Sequence, residues 1–473
     1  LERREDIDVT TKRHPSVIRH RTGVTRDGVI LAAEIDIIFD GGAFSTMSPV
    51  VLSRGVLHAW SAYRLPNARI VGRALATNTA PNGAFRGFGA PQTVFAMERQ
   101  MDRIARELGL SPLEVRRKNL LKTGDTLPCG QVLRSAYAGL VLERALDISG
   151  YEEKHGKQQE DDRILRRVGV SVFLHGGGFT GAGEEKISGR AAVEVADDGI
   201  VEVLVSGTEM GQGAATVLPQ IAAEVLSLPA WKVRHPNPDT SRVPDSGPTV
   251  ASRTTMMVGK ILQDAAKDMR ATLTGEAAKN AGVLPESILW EHGRLASGGR
   301  DLGSFEELAL QYKEEHGKPL RGEGVYNPPS DCQWNEAEYR GDAYKDYAWA
   351  CDVVEVEIDA DTLELRVPHV TSVVEIGKAV HPMLAEGQVI GGTLQALGWG
   401  AMEEVRMEKG RYRNNSVSTY IIPTAVDAPE FTVEIAETPS PFGPWGAKGL
   451  GELPMDGGAP ALAAAVEDAL GVF

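Results

Sequence analysis

Four glycine-rich loops, each followed by a helical pattern of apolar residues, are distributed along the whole chain. They comprise residues 83–92 (GAFRGFGAPQ), 207–213 (GTEMGQG), 386–398 (EGQVIGGTLQALG) and 446–454 (GAKGLGELP). Glycine lets a backbone approach a ligand closely, and the first turn of a helix presents unpaired N–H groups and the positive end of its dipole. The loops therefore predict one site, assembled from distant segments, for a large, polar, anionic ligand. The sequence has no GxxxxGK[ST] pattern of the kind that binds nucleotide phosphates.

Length and charge limit the classes of protein to consider. A chain of 473 residues exceeds the roughly 250–300 residues at which a single core stops growing, so more than one domain is expected. The formal net charge of -15 argues against nucleic acid or an anionic membrane surface as a partner. Because the sequence has no signal peptide and no run of about 18 apolar residues, it predicts a soluble, cytoplasmic protein.

Cysteine and histidine usage restricts the metal chemistry of the chain itself. Cys129, Cys332 and Cys351 are far apart and form no CxxC pair, which excludes a four-cysteine iron–sulfur centre within this chain. The ten histidines form no HExxH pattern, so a histidine-held metal is not expected.

The alternation of strand and helix signals predicts the fold class. Apolar runs with a period of two flank turn signals at residues 27–28, 198–199 and 360–361, which is typical of hairpins. Each hairpin precedes a glycine-rich loop and then a helix, such as the one expected between Gly89 and Gly109. Mixed sheets and helices indicate an α+β fold with two related domains and the site between them.

Charged segments suggest where the domains meet. Residues 152–166 and 301–324 are charged and poorly periodic, so they are predicted to be linkers or surface excursions. The first of them gives the predicted domains, residues 1–165 and 166–473.

A few polar residues in unusual settings are candidates for chemistry. Arg54 lies in the apolar stretch VVLSRGVLHAW, where it either contacts an anionic ligand or pairs with a structural carboxylate. Arg86 either contacts a ligand or stacks on a neighbouring ring. Glu452 is a poorly hydrated general base with a raised pKa, or a helix-cap glutamate. Gln212 and Gln395 either pair with the edge of a heterocycle or are solvated.

Several motifs in one order resemble the molybdopterin-binding part of the xanthine dehydrogenase/aldehyde oxidase family of molybdenum hydroxylases. The motifs are LERREDIDVTTKRHP, GAFRGFGAPQ, LEVRRKNL, GTEMGQG, ASRTT, GQVIGGTLQALG and GAKGLGE, and they extend over essentially the whole chain. The resemblance implies two molybdopterin-binding domains, the first of them, residues 1–165, lacking its start.

The resemblance also assigns roles to residues. Glu452 matches the family's catalytic glutamate, and Arg54 matches an arginine that contacts a purine and stabilises the charge developing on it. Phe88 and Phe179 match two rings that sandwich the purine, and Thr180 follows as a hydrogen-bond donor to the substrate. The segments that match the cofactor-binding residues contain Phe85, Arg86, Met210, Gly211, Gln212, Ala251, Ser252, Arg253, Thr254 and Gln395. No side chain is expected to ligate molybdenum, which the family holds through the pterin dithiolene.

Arg54 favours one substrate class over another, because family members that prefer aldehydes generally lack this cation. The resemblance therefore implies oxidative hydroxylation of a purine such as xanthine or hypoxanthine, with water as the oxygen source. Two alternatives stay open: a hydroxylase of aldehydes, nicotinate-like N-heterocycles or aromatic thioesters, and a non-catalytic relative without cofactor.

The resemblance further implies cofactors and partners. The cofactor is molybdenum-molybdopterin or its cytosine dinucleotide form, and electrons are expected to leave through [2Fe–2S] and FAD subunits. A GGGFGGKE-like segment, which in the family supplies a second substrate-binding glutamate, is expected before residue 1. It would come from a second molybdopterin-binding polypeptide, or the chain would be a cut fragment.

Overall fold

The computed structural model describes residues 2–156 and 163–472. The α-helices are α1 Arg3–Val9, α2 Ser48–Leu57, α3 Ala90–Leu108, α4 Pro112–Asn119, α5 Ala138–Ser149, α6 Tyr151–Gly156, α7 Gly183–Ile187, α8 Ala214–Val225, α9 Gly259–Ala281, α10 Phe305–His316, α11 Pro382–Ala401 and α12 Gly458–Leu470. Shorter turns are the π-helical Thr254–Val258 and the 3₁₀ turns Ala230–Lys232, Pro285–Ser287, Pro444–Gly446 and Leu453–Met455.

The strands are β1 Ser16–Val24, β2 Ile30–Gly42, β3 Ala68–Ala76, β4 Ile164–Gly176, β5 Arg190–Val195, β6 Val201–Leu204, β7 Val233–Arg234, β8 Ile288–Glu291, β9 Arg294–Ser297, β10 Arg300–Ser304, β11 Arg321–Val325, β12 Trp334–Asn335, β13 Arg340–Gly341, β14 Tyr347–Asp359, β15 Leu365–Arg366, β16 His369–Glu375, β17 Met407–Glu408, β18 Arg411–Tyr412 and β19 Glu430–Ala436. These elements confirm the predicted α+β class.

The largest sheet has β14 at its centre. One edge of β14 pairs antiparallel with the full length of β4, from Tyr347 opposite Gly176 to Asp359 opposite Ile164. The other edge pairs with β16 and, at its far end, with β15, and β16 pairs in parallel with β19. The carboxyl end of β4 and the amino end of β14 therefore meet at the same end of the sheet.

Both faces of this sheet are covered, which explains why Tyr347 to Val354 form an unbroken buried run. Trp349, Cys351 and Val353 face a core that also contains residues of α5. Ala348 and Ala350 face the opposite way, into a separate cluster. The period-two pattern of a strand is hidden here because neither face meets solvent.

Two main cores organise the chain. The first combines residues from Ile30 to Tyr151 with parts of β4, β14 and β16. The second lies between Ala191 and Leu320, where β11–β5–β6–β7 packs against α8 and α9. The first core thus draws on both predicted domains, and the boundary after residue 165 remains a prediction.

The predicted hairpins are confirmed as β1–β2, β5–β6 and β14–β15. The predicted linkers are wrong where the structure describes them. Residues 301–324 form part of β10, all of α10 and part of β11, because Phe305 and Leu320 are buried in the second core. Within residues 152–166, α6 and β4 occupy both ends, and residues 157–162 lie outside the described residues.

Candidate active site

Glu452 lies in a buried part of the fourth glycine-rich loop, shortly before α12. Only 8% of the residue is exposed, and its backbone N–H donates to Ser252 Oγ over 2.9 Å. Its Oε2 lies 3.2 Å from His175 Nε2. The carboxyl group therefore faces the interior, as a general base in a closed site requires.

The neighbours of Glu452 determine its protonation. Burial acts to raise the pKa of Glu452, but the hydrogen bond with His175 and the charges of Arg54 and His175 outweigh burial and bring the pKa below its ordinary value. The expectation of a raised pKa is therefore wrong, because the sequence did not reveal these partners. A lowered pKa keeps Glu452 ionised at neutral pH, in the form that accepts a proton.

Behind Glu452 lies a second acid–imidazole contact. His175, the penultimate residue of β4, places its Nδ1 2.7 Å from Asp456 Oδ2, and both residues are almost fully buried. Burial acts to lower the pKa of His175, but the charge of Asp456 raises it above the ordinary imidazole value. Burial also raises the pKa of Asp456, to about 6.

Arg54 reaches this cluster from the last turn of α2. Its Nη1 lies 3.0 Å from His175 Nε2 and donates to the Gly176 carbonyl over 2.6 Å, and its Nη2 donates to the Gly178 carbonyl. The residue is 1% exposed, and its guanidinium carbon lies 4.9 Å from the centre of the Tyr344 ring and 5.7 Å from that of Phe88. Arg54 therefore binds carbonyls and rings rather than the structural carboxylate considered from the sequence.

His58 fixes the backbone around Arg54. Its Nδ1 lies 2.8 Å from the Arg54 carbonyl, and its Nε2 accepts the Gly176 N–H over 3.0 Å. These partners require the neutral tautomer with its proton on Nδ1. Burial lowers the pKa of His58 well below its ordinary value, which agrees with a neutral ring.

The first glycine-rich loop brings Phe88 and Arg86 to the same region. Phe88 is buried with a left-handed backbone, φ 53°, a conformation that costs a non-glycine residue about 1–2 kcal/mol. Arg86 Nε donates to the Gly451 carbonyl over 2.6 Å, and its Nη2 donates to Gln388. Arg86 therefore ties the first loop to the turn that carries Glu452.

Two predicted cofactor-binding segments also meet. The Thr208 N–H donates to Thr249 Oγ1 over 2.9 Å, which joins the loop of Met210, Gly211 and Gln212 to the loop that precedes α9. A Cβ built at Gly211 would meet no atom within 4 Å, but the N–H groups of Gly211 and Gly213 already donate to the Glu209 carboxylate.

The second of these segments continues toward Glu452. Ala251 and Ser252 are consecutive left-handed residues, φ 56° and 52°, and strain of this kind is concentrated at binding sites. The Gly178 N–H donates to the Ala251 carbonyl, and Ser252 accepts from Glu452 as described. The Arg253 side chain instead forms a buried ion pair with Glu184 over 2.7 Å, with Thr254 next to it at the start of the π-turn.

The structure does not bring every predicted residue to Glu452. Phe179 adjoins Gly178, whose carbonyl accepts from Arg54, and the Phe179 N–H donates to Glu184 Oε1, so its pairing with Phe88 around a substrate stays a prediction. Thr180 Oγ1 lies 2.9 Å from Tyr344 Oη, beside the ring that covers Arg54. Tyr344 is therefore the aromatic neighbour that sequence reasoning missed.

Gln395 and Phe85 line a different feature. They border a cleft of about 630 Å³ together with Arg13 and Trp399. The Arg13 guanidinium carbon lies 4.5 Å from the centre of the Phe85 ring. Gln388, nearly two turns earlier on α11 than Gln395, is the glutamine that contacts Arg86.

Within the described ranges, no helix combines the length and apolar character needed to cross a membrane.

Comparison with known proteins relates this geometry to a family. Residues 1–120 and 144–429 each match a family model described as a molybdopterin cofactor-binding domain. The second match alone covers more than half of the chain.

Curated relatives agree with these matches. A probable xanthine dehydrogenase subunit of Bacillus subtilis (strain 168) is 32% identical over 100% of this chain and 62% of its own length. The putative xanthine dehydrogenase molybdenum-binding subunit of Escherichia coli (strain K12) is 30% identical over the same shares. The crystal structure of quinoline 2-oxidoreductase from Pseudomonas putida 86 superposes with a TM-score of 0.88 at 29% identity, covering 100% of this chain and 61% of the other. The chain thus spans about three fifths of the length of these proteins.

Proposed function

Because the chain belongs to the molybdopterin cofactor-binding domain family, we propose that it forms the cofactor-holding part of a molybdenum hydroxylase that acts on a purine such as xanthine or hypoxanthine. The observation that carries this proposal is the approach of Arg54 and Glu452 to the same atom, His175 Nε2, at 3.0 and 3.2 Å. A cation and an ionised base thus lie within two hydrogen-bond lengths of each other.

The described residues fit the cofactor. The strained turn of Ala251 and Ser252 lies next to Glu452, and the loop of Gly211 is joined to the same segment through Thr208 and Thr249. We propose that these residues, with Met210, Gln212 and Arg86, hold the pterin and its phosphate. When bound, molybdenum-molybdopterin supplies an activated oxygen and accepts a pair of electrons.

The chain's own residues supply acid–base chemistry and charge stabilisation. Glu452 is ionised at neutral pH and takes a proton from the attacking group. Arg54 stabilises negative charge that develops on the substrate ring, an effect that can contribute several kcal/mol when the donor is held in place beforehand. Phe88 and Tyr344, whose rings lie on the Arg54 guanidinium, hold the cation in position.

A second candidate substrate is an aromatic N-heterocycle without the oxygen atoms of xanthine. The superposition with quinoline 2-oxidoreductase favours it. Such a ring needs the same base but gains less from Arg54, because it has no carbonyl oxygen to receive a hydrogen bond. The two candidates therefore differ in their dependence on this one residue.

The electron path leaves this chain. Electrons from the cofactor pass to partner subunits that carry [2Fe–2S] clusters and FAD. The two cofactor-binding domains are residues 1–165 and 166–473, with a further polypeptide segment completing the pocket.

Replacement of Arg54 tests the substrate class. In Arg54→Met, we expect kcat/KM for xanthine to fall about 100-fold, the loss typical of removing one preorganised donor, while turnover of an aromatic aldehyde persists. Steady-state assays of both substrates on the purified assembly measure this difference, and aldehyde turnover reports whether the variant is intact.

Arg270→Met is the matched control, because Arg270 lies on α9 in the second core and donates to the Val225 carbonyl. It should leave both activities unchanged. Equal losses for xanthine and aldehyde in an Arg54→Met assembly that keeps its molybdenum would contradict the purine assignment. An assembly without molybdenum by elemental analysis would contradict both enzyme assignments.

A further inference from the structure

Three titratable groups from two distant parts of the chain form a row in the interior. Asp456 Oδ2 lies 2.7 Å from His175 Nδ1, and His175 Nε2 lies 3.2 Å from Glu452 Oε2. Asp456 is fully buried and His175 is 1% exposed, so solvent does not supply their hydrogen bonds. Burial of an ionisable group costs free energy of desolvation. If Glu452 alone were needed as a base, the burial of His175 and Asp456 behind it would have no explanation.

The contacts define where the protons reside. When Asp456 is ionised, its Oδ2 can only accept, so His175 Nδ1 must carry a proton. Nε2 then has two states. Without a proton it accepts from Arg54 Nη1, and with a proton it donates to Glu452 Oε2. His175 can therefore gain one proton on the side that faces Glu452 without breaking its contact with Asp456.

We propose that the buried Asp456–His175 pair stores the proton that Glu452 takes up, with His175 Nε2 receiving it from Glu452 Oε2 and Asp456 stabilising the resulting imidazolium. This inference rests on the proposed role of Glu452 as a base. In the step, the O–H bond on Oε2 breaks and an N–H bond on Nε2 forms, and no electrons are transferred. Asp456 and His175 are positioning residues, because they act through Glu452.

The charged neighbours of His175 act in both directions, and the carboxylates outweigh Arg54. The carboxylates Glu452 and Asp456 flank the imidazole and favour its charged form. Arg54 opposes that form, but His58, whose ring centre lies 5.0 Å away, is neutral. The pKa of His175 lies above its ordinary value and that of Glu452 below, so a proton shared by the two resides on His175.

An aspartate–histidine pair like that of Asp456 and His175 also occurs in other enzymes. An aspartate that fixes an imidazole tautomer and stabilises the imidazolium is the logic of the Ser–His–Asp triad, where loss of the aspartate charge lowers turnover strongly. Here the imidazole receives its proton from a carboxyl group instead of a hydroxyl group. Asp456 Oδ1 has no hydrogen-bond partner among the described residues, so the hydrogen bond with His175 is the one that the Asp456 carboxyl group forms there.

The pH profile of the holoenzyme tests the proposal. In the wild type, the acid limb of kcat/KM should fall at the pH where His175 titrates. In His175→Gln, we expect that limb to move down by about two pH units, from the imidazole to the carboxyl range, and kcat to fall. A structural role alone would lower kcat without moving the limb. An acid limb at the same pH in the variant would overturn the proposal.

A spectroscopic readout does not depend on turnover. Nitrogen-15 NMR of the histidine-labelled holoenzyme, with the His175 signal identified by its loss in His175→Gln, reports the charge and tautomer of the ring. We expect its pKa to fall by about one unit or more in Asp456→Asn, because the opposite charge is removed. An unchanged titration in this variant would overturn the proposal, and this measurement decides the matter even if His175→Gln does not fold.

Two further variants distinguish a failure of the proton store from a failure of the proposed function. Glu98→Gln removes another fully buried carboxyl group, one that contacts Tyr63 and Arg116 and not His175, and it should leave the acid limb in place. Glu452→Gln should abolish turnover of every substrate. If Glu452→Gln is inactive and the NMR and pH profiles do not shift as described, the proton store is wrong and the proposed function stands. If Glu452→Gln is active, the proposed function itself is wrong.

Discussion

Asp352 shows what burial does to a single carboxyl group in this molecule. It lies at the centre of β14 and is 1% exposed, and its Oδ1 accepts from Ser372 over 2.7 Å. Burial raises the pKa of Asp352 to about 7. The folded protein therefore binds a proton here that the unfolded chain releases near pH 4, and this contribution to stability is lost as the pH rises through about 7.

Asp352→Asn should flatten the pH dependence of stability. Because the amide cannot ionise, we expect the free energy of unfolding to fall by about 2 kcal/mol less between pH 5 and pH 8 than in the wild type. Urea unfolding at both pH values measures the difference. The exposed Asp147→Asn serves as the control, and parallel curves for wild type and Asp352→Asn would contradict the expectation.

Single residues of the candidate site were predictable only when their sequence setting was unusual. Arg54 stands in an apolar run and Glu452 follows a glycine-rich loop, so both were singled out. His175 and Asp456 were not, because one histidine before three glycines and one aspartate in MDGG resemble ordinary turns. Their contact joins positions 281 residues apart. The spacing of four between Glu452 and Asp456 was the one local signal that could have linked them.

At the scale of elements, close packing of β11 on α9 depends on glycine. A Cβ at Gly322 would lie 2.2 Å from the Ala265 carbonyl oxygen, which belongs to the helix backbone and cannot move aside easily. Gly275 lies on the same helix, where a Cβ would meet no atom within 4 Å. Replacement by alanine should therefore have opposite effects on stability at Gly322 and at Gly275.

Gly322→Ala should destabilise the protein by about 1–3 kcal/mol through overpacking. Gly275→Ala should stabilise it by about 0.5–1 kcal/mol, because alanine loses less backbone entropy in a helix. Thermal unfolding of both variants provides the comparison. If Gly322→Ala unfolds at or above the wild-type temperature, the close approach of strand and helix is wrong.

Elements with strong local signals were predicted correctly. Helix α3 begins after Gly89 and ends at Gly109, both left-handed, as the glycines indicated. Helix α4 begins at Pro112, where the Ser111 side chain accepts from the Leu113 N–H and Glu114 pairs with Lys118. Helix α10 was missed because its exposed face is heavily charged, although Ser304 and Glu307 form a capping box that the sequence displays.

At the scale of the whole molecule, the three cysteines of the chain are fewer than the four ligands of a cysteine-held [2Fe–2S] cluster. Cys129 and Cys351 are buried, Cys332 is partly buried, and all three are free thiols. Affinity purification of the tagged chain from its native cells should therefore recover polypeptides with iron, acid-labile sulfide and flavin. Absorption spectra and metal analysis measure these. Molybdenum recovered without iron or flavin would contradict the expected partners.

The assembly of the sheets could not be predicted from sequence. The α+β class follows from alternating local signals, but the pairing of β4 with β14 joins segments nearly two hundred residues apart, with the whole second core between them. Both strands are buried on both faces, so their sequences lack the alternation of apolar and polar residues that would have indicated how they pair. The glycine-rich loops indicated a shared site without showing which residues would meet in it.

The long ladder of β4 and β14 ends at His175 and Gly176 on one side and at Ile164 and Asp359 on the other. Thirteen paired residues in each strand, at about 3.4 Å per residue, separate the chemistry from the opposite rim by roughly 40 Å. A fluorophore attached at that rim would be fixed to the rigid β4–β14 ladder and would not contact the reacting groups. It could therefore report rotation of the assembly without disturbing catalysis.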